Sequence, residues 1–298
     1  MLPVSVCICA YNEEKNIKNV IDSLSKQHLR YVSIEEIIVV SSSSDLTDDI
    51  VLNLAKNDKR IILVREKERS GKANAINLFI ERTEYEICVL VGADVVPRYD
   101  AIERLCLPFL DDCVGMTGAH IIPSNPNNNF VGFAGHTHWE MAHRISLLFP
   151  KLGETIAFRR IVDKLDPKTA VDEAYLESAL TKMGKKLIYV PEAVVYNRTS
   201  ATVKDLIKQR KRIHTGHLHL KQTTSYSVST LDMKTKGKLA FGLYMDYVRG
   251  FIWMPFVVLL EIYCLLLGTY DHYIKKKNPY IWEISKSTKE LDEKRINT

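Results

Sequence analysis

An α/β fold, a mainly parallel sheet flanked by helices with membrane-associated helices at the C-terminal end, is what this sequence predicts. Three observations predict it. Short apolar runs alternate with segments of helical spacing through the first third of the chain; the connections between them are short; and an almost uninterrupted apolar stretch at 251–270 follows the last amphipathic segment.

The elements follow in order. Residues 3–10 (PVSVCICA) are rich in β-branched and small residues, the pattern of a buried strand. Apolar positions at Ile17, Val20, Ile21 and Leu24 give 14–27 helical spacing. A second buried strand is expected over 36–40, a loop over 41–44, and a helix with an acidic first turn over 46–56. Residues 60–65 read as a third strand, 71–82 as a helix and 87–91 as a fourth strand ending on Gly92-Ala93-Asp94. Beyond Asp100 the pattern is less regular. A loop is expected over 124–129, helices over 131–149 and 170–183, a short strand over 187–190 stopped by Pro191, and a strongly basic helix over 202–220. A polar linker over 221–236 leads into the apolar stretch, which places a catalytic domain in 1–230 and a membrane-associated segment with a polar tail in 231–298.

Composition narrows the function classes. The 298 residues are 46% hydrophobic and 26% charged, enough for a large globular core. A formal charge of +5 suits small anionic ligands or an anionic membrane surface and is too weak to point to nucleic acid. The six cysteines are scattered without CxxC spacing, and no basic leader precedes the first strand, so a cytosolic chain with reduced thiols is expected. Basic residues flank the apolar stretch on both sides: Lys234, Lys236, Lys238 and Arg249 before it, Lys275 to Lys277 after it. Glu261 and Pro255 interrupt it. A single crossing would put one basic cluster on the outer face, so an in-plane or re-entrant arrangement, paired with the amphipathic stretch 239–248, is expected at the cytoplasmic face.

Ligands of open parallel sheets sit beyond the carboxyl ends of the strands. Asp94 stands there, a hard oxygen ligand suited to Mg2+ or Mn2+. On its own it reads equally as a loop-capping acid. Asp172-Glu173 at a helix start offer a general base, or simply complement the helix dipole. Gln209-Arg210-Lys211-Arg212 offer forked donors for a diphosphate, or a solvated or lipid-facing basic stripe. His214, His217 and His219 have spacing that suits a metal but also suits ordinary packed imidazoles, with one of them open as a third metal ligand.

The order of these segments is more informative than any one of them. Ala-Tyr-Asn-Glu at a strand end, a Ser/Asp loop, GKANAIN, an apolar strand ending x-Ala-Asp, Asp-Glu-x-x-Leu and Gln-x-x-Arg run in that sequence before an apolar segment. Over about residues 3–220 the chain resembles family 2 glycosyltransferases of GT-A fold, the membrane-associated inverting group that includes hyaluronan, chitin and cellulose synthases and dolichyl-phosphate mannose synthases.

The resemblance implies a role for each matching position. Ala10, Tyr11, Asn12 and Glu13 would contact the nucleotide; Ser41 and Asp45 stand in the loop that touches the base or ribose; Lys72 would approach the diphosphate. Asp94 would be the direct ligand of Mn2+ or Mg2+, with Ala93 beside the donor, although Gly92 replaces the family's first acid. Glu173, or Asp172 beside it, would be the catalytic base, the two acids standing in swapped order. Gln209, Arg210 and Arg212 would line the donor and acceptor region, with Ile213 in place of the family's Trp. Gly153 and Glu154 match a segment near the acceptor, and Trp282 with Ser287-Thr288-Lys289 a cytoplasmic element after the membrane segment. The implied partners are a nucleotide sugar, UDP-linked by preference, a lipid-linked or glycan acceptor and membrane lipid, without nucleic acid. The missing Trp favours transfer of a single sugar. Two other readings carry different consequences: a nucleotidyltransferase would release pyrophosphate, and a degenerate donor-binding scaffold would transfer nothing.

Overall fold

The computed structural model describes residues 1–228, 242 and 250–282. Four strands, β1 (Leu2–Ala10), β2 (Val32–Ser41), β3 (Ile61–Arg65) and β4 (Ile87–Gly92), form a parallel half-sheet in the order β3-β2-β1-β4. They are apolar almost throughout because both faces are covered. Successive side chains go to opposite faces. Val4, Val6 and Ile8 pack with α1 (Ile17–Ser25) and α2 (Thr47–Ala55), whereas Cys7 of the same strand packs with α3 (Lys72–Arg82).

Four more strands, β5 (Val95–Pro97), β6 (Val114–Pro123), β7 (Ile156–Arg159) and β8 (Lys186–Asn197), complete an eight-stranded sheet, β3-β2-β1-β4-β7-β6-β8-β5. The sheet is mixed: β7 runs antiparallel to β4 and β6, and β5 antiparallel to β8. Sequence patterning finds none of β5, β6 and β7; β5 and β7 are three and four residues long, too short to show a period, while the ten-residue β6 falls in the less regular stretch beyond Asp100. It also ends the last strand at Pro191, yet β8 continues to Asn197. The pairing with β6 jumps from Val190 to Val194, so Pro191 falls in an irregularity that asks no N–H of it.

The remaining helices are α4 (Ala101–Cys106), α5 (Phe130–Leu148), α6 (Asp172–Lys182), α7 (Val203–Thr224) and α8 (Gly250–Tyr273). Asn129 caps α5 by accepting the Gly132 N–H at 2.9 Å, and Thr202 caps α7 by accepting that of Asp205 at 3.1 Å. The apolar stretch of the sequence is α8, a helix long enough to cross a bilayer. It lies along α7 and turns its polar groups inward. Glu261 pairs with Arg210 at 2.6 Å, Asp271 with Lys211 at 2.7 Å, and Thr269 meets His214 at 3.1 Å. The helices approach so closely that a Cβ at Gly268 would stand 3.0 Å from the Lys211 carbonyl oxygen. The outward face carries Ile252, Phe256, Leu259 and Leu266, each between 59% and 68% exposed. Of the amphipathic stretch 239–248 only residue 242 is described; Lys234, Lys236, Lys238, Arg249 and Ser287-Thr288-Lys289 lie outside the described residues.

One buried amide ties the parallel half to the loop that leads into α6. Asn77 of α3 donates to the Leu165 carbonyl at 3.0 Å and accepts the Leu165 N–H at 2.7 Å. Both groups of Leu165 would be left buried without partners in Asn77→Ala, so that variant should lose about 2–4 kcal/mol of unfolding free energy, read from urea midpoints. An unchanged midpoint would show that the loop is held by other contacts.

Candidate active site

The carboxyl ends of β1, β2 and β4 open onto a cavity of about 870 Å3 that runs between α5, α7 and α8. Ala10, Tyr11, Glu13, Lys72, Ala93 and Asp94 line it from the sheet; Gly153, Glu154, Glu173, Gln209, Arg210 and Arg212 line it from the other side. Segments far apart in sequence thus converge as expected for ligand binding at strand ends.

Lys72, the first residue of α3, reaches the first two residues of α6. Its ammonium stands 2.8 Å from Asp172 Oδ2 and 2.6 Å from Glu173 Oε1. Burial works against this ammonium, but the two carboxylates outweigh it and hold its pKa well above the ordinary lysine value. The acids respond in opposite directions. Burial, with the charge of Glu173 added, pushes Asp172 up. Burial also pushes on Glu173, but the Lys72 charge and hydrogen bond prevail and its carboxyl titrates below the usual range. Asp172 is 1% exposed, and of the two acids Glu173 is the one that lines the cavity. This separates the two candidates for the base: Glu173 is ionised and accessible, Asp172 is enclosed.

Arg212, on α7, faces the same acids. Burial lowers its pKa to about 10, and its Nε has no hydrogen-bond partner among the described residues. Its guanidinium lies on the Trp282 ring, 3.7 Å from the centroid. The backbone of Trp282 is held in turn: Arg69 Nη2 donates to its carbonyl at 2.5 Å, while the Arg69 guanidinium stacks on Tyr11 at 4.1 Å. The described residues after α8, up to Trp282, therefore return to line the cavity. Sequence patterning identifies Trp282 only as a tail element and gives no hint of Arg69, because contacts between a loop and a segment so far along the chain leave no periodic trace.

A third group gathers around Asp94. Glu154 occupies a left-handed backbone conformation, φ +57°, between β6 and β7. Its carboxylate accepts a 2.7 Å bond from Asn197 Nδ2 at the end of β8. Burial, then the charge of Asp94, pushes the Glu154 carboxyl up to about 8. Asp94 and Glu154 are two cavity-lining carboxylates that could hold a hard cation. His214 turns to α8 instead, and no cluster of three His, Cys, Asp or Glu ligands occurs among the described residues.

Four expected donor contacts are placed differently. Ser41 is buried and donates to Asp48 at 2.6 Å, so its neighbour Ser42 lines the cavity in its stead. Asp45 accepts from the Thr47 N–H and hydroxyl at 3.0 and 2.5 Å and from the Glu14 N–H at 3.2 Å, which makes it a loop brace. Asn12, at φ +54°, accepts the Ser44 N–H at 2.8 Å and locks the same loop. Arg210 lies in the cavity wall but its guanidinium is paired with Glu261 through both Nε and Nη2, at 2.9 and 2.6 Å, away from the Lys72 end.

Comparison with known proteins identifies the fold and the family. A mannosyltransferase from Pyrobaculum calidifontis, solved with GDP-Man and Mn2+, shares 18% identity and superposes with a TM-score of 0.66 over 92% of this chain and 88% of its own. Glucosyl-3-phosphoglycerate synthase from Mycobacterium tuberculosis, solved with Mn2+, UDP and phosphoglyceric acid, gives 0.52 at 19% identity over 72% of this chain and 77% of its own. These likenesses establish the GT-A fold. The poly-beta-1,6-N-acetyl-D-glucosamine synthase of Staphylococcus aureus is 24% identical over 274 residues, 86% of this chain and 63% of that protein. An uncharacterized glycosyltransferase of Haemophilus influenzae is 31% identical over 102 residues, 34% of this chain and 31% of its own. The chain therefore spans less than two thirds of these curated relatives. The pattern of glycosyl transferase family 2 matches residues 5–164, more than half of the sequence. The chain is a glycosyltransferase that belongs to family 2.

Proposed function

We propose that this glycosyltransferase is an inverting, metal-dependent enzyme that passes one sugar from a nucleoside-diphosphate sugar, UDP-linked by preference, to a lipid-linked or glycan acceptor at the cytoplasmic face of a membrane. The observation that carries the reading is the contact of Lys72 with Asp172 and Glu173 at the strand ends, where an acceptor hydroxyl and a leaving diphosphate would meet.

In a single displacement the acceptor oxygen forms a bond to the anomeric carbon as the bond from that carbon to the diphosphate breaks, and the electron pair leaves with the diphosphate. Glu173, ionised and facing the cavity, takes the hydroxyl proton. Lys72 and Arg212 supply the positive charge that stabilises the departing diphosphate, while Lys72 keeps Glu173 charged until the proton arrives. Trp282, lying on Arg212, closes the mouth and excludes water.

The donor set fits a divalent cation. Asp94 and Glu154 both line the cavity, and a bound cation would relieve the repulsion between their charges. Asp94 would hold it, the substrate and water completing the coordination. When bound, Mn2+ or Mg2+ would draw charge from the diphosphate. Solved structures of both neighbours contain Mn2+, which supports the assignment.

The membrane reading rests on the two faces of α8. Both of its acids are paired with α7, and its outward residues are apolar, so the helix suits the plane of an interface with its protein side towards α7. We take 1–230 as the catalytic unit and 231–298 as the part that holds it to lipid.

Three outcomes follow. Glu173→Gln should lower kcat roughly 100- to 10,000-fold with nucleoside diphosphate binding retained, measured by release of nucleoside diphosphate from a panel of nucleotide sugars with Mn2+. Full activity there, with Asp172→Asn inactive, would move the base to Asp172. Lys72→Met removes the charge that keeps the Glu173 pKa low, so the acid limb of the kcat profile at saturating donor should move to higher pH. An unmoved limb would mean that Glu173 does not carry it. Finally, Phe256→Glu with Leu259→Glu should abolish flotation with vesicles of mixed neutral and anionic phospholipid; flotation equal to the parent protein would rule out insertion of this face.

A further inference from the structure

Gly92 stands where the family pattern has its first acid, and the side chains around it are packed closely in its absence. A Cβ at Gly92 would lie 2.8 Å from Val95 Cγ2 and 3.1 Å from Asp94 Oδ1. A contact of the first kind requires the Val95 side chain to shift, at the start of β5 where Val95 pairs with Asn197 of β8. A side chain at position 92 would therefore crowd Val95 and the Asp94 carboxylate in the tight turn between β4 and β5.

Another carboxylate comes to the same cavity from elsewhere. Glu154 sits at the centre of a γ-turn: the Thr155 N–H donates to the Gly153 carbonyl at 2.8 Å, and φ of Glu154 is +57°. This form of γ-turn is rare and strained for a residue with a side chain. The Glu154 carboxylate lines the cavity that Asp94 also lines, and it is held by Asn197, which pairs across the sheet with Val95, the residue after Asp94. Asn197 completes the group. Its side chain is 4% exposed, its Nδ2 donates to Glu154 Oε2 at 2.7 Å, and its Oδ1 is buried without a hydrogen-bond partner among the described residues. A buried amide oxygen left in that state costs free energy unless something electropositive meets it.

We infer that Glu154 and Asn197 join Asp94 as oxygen donors to the divalent cation, replacing in space the acid that Gly92 lacks. Three donors come from three strand ends: Asp94 after β4, Glu154 before β7 and Asn197 at the close of β8. The set of two carboxylates and one amide oxygen suits a hard cation that takes its remaining ligands from diphosphate and water. Without Glu154 the protein would offer the cation one carboxylate. With it, two negative charges face one divalent ion, and the positive-φ turn that presents Glu154 has a reason to persist.

The inference rests on the metal-dependent reading above, and Mn2+ binding tests the two separately. Mn2+ affinity of the full chain is measured by electron paramagnetic resonance of free Mn2+, with and without UDP or GDP. Glu154→Gln and Asn197→Ala should each weaken Mn2+ by at least about tenfold, the loss that even groups behind a ligand bring. Both variants should melt at the parent temperature in chelator; if Glu154→Gln does not, Glu154→Asp, which keeps the charge and shortens the reach, replaces it with the same expectation. Parent affinity in the Glu154 and Asn197 variants, with Asp94→Asn unable to bind, would overturn the inference and leave the metal reading standing. No Mn2+ bound by the parent protein, with or without nucleotide, would overturn both.

Discussion

Lys72 brings a positive charge to a place that is nearly closed to water, and the surrounding structure follows from how that charge is met. Burial of an isolated ammonium costs several kcal/mol, so α3 and α6 must bring their N-terminal ends together and Asp172 and Glu173 must face it. Two carboxylates for one ammonium leave an unequal pair. Asp172 is enclosed and drawn towards its neutral form, while Glu173 is exposed to the cavity and held ionised. The same charge that stabilises the fold thus divides the acids into one that packs and one that can accept a proton. Asn77 makes the arrangement rigid by holding Leu165, and Arg212 adds a second positive charge from α7.

α7 divides its basic residues between two tasks. All of Gln209 to Arg212 line the cavity, but Arg210 and Lys211 direct their charges to Glu261 and Asp271 of α8 while Arg212 turns to Trp282, Asp172 and Glu173. Helical geometry forces this division, since adjacent residues point some 100° apart. The paired acids are what allow an otherwise apolar helix to lie on a basic one, and they turn the apolar face of α8 outward. Whatever holds α8 is thereby connected, through one rigid helix, to the guanidinium that faces Asp172 and Glu173.

Much of this was legible in the sequence, and the limits are physical. β1 to β4 and their helices show long, regular periods because both sheet faces are buried, and the expected ranges match closely. β5 and β7 carry too few residues for a period, and Pro191 masks the continuation of β8. Motif order brought Lys72, Asp94, Glu173 and Arg212 to one cavity. It could not separate Ser41 from Ser42, because adjacent residues of one composition differ only in which side of the strand they occupy. Arg210 misled for a related reason: its partner Glu261 lies 51 positions on and is visible in sequence only as a flaw in an apolar run. Asn197 carried no functional signal either; it matters through the turn at Glu154 that it reaches.

The departures from the family pattern at Gly92 and Ile213 look in sequence like loss of function, and the fold gives a different account of each. The aromatic ring absent from position 213 has a counterpart in Trp282, which stacks on the adjacent Arg212 from the far end of the chain. The acid absent from position 92 has a counterpart in Glu154, brought to the same cavity by a strained turn. In both cases the chemical group is supplied by a residue distant in sequence and near in space. A site of this kind is defined by what converges on the strand ends, so a missing motif letter is evidence of inactivity only where no other side chain reaches the same place. Here a carboxylate and an indole do, and the strain kept at Glu154 argues that the convergence is maintained for the chemistry and not for stability.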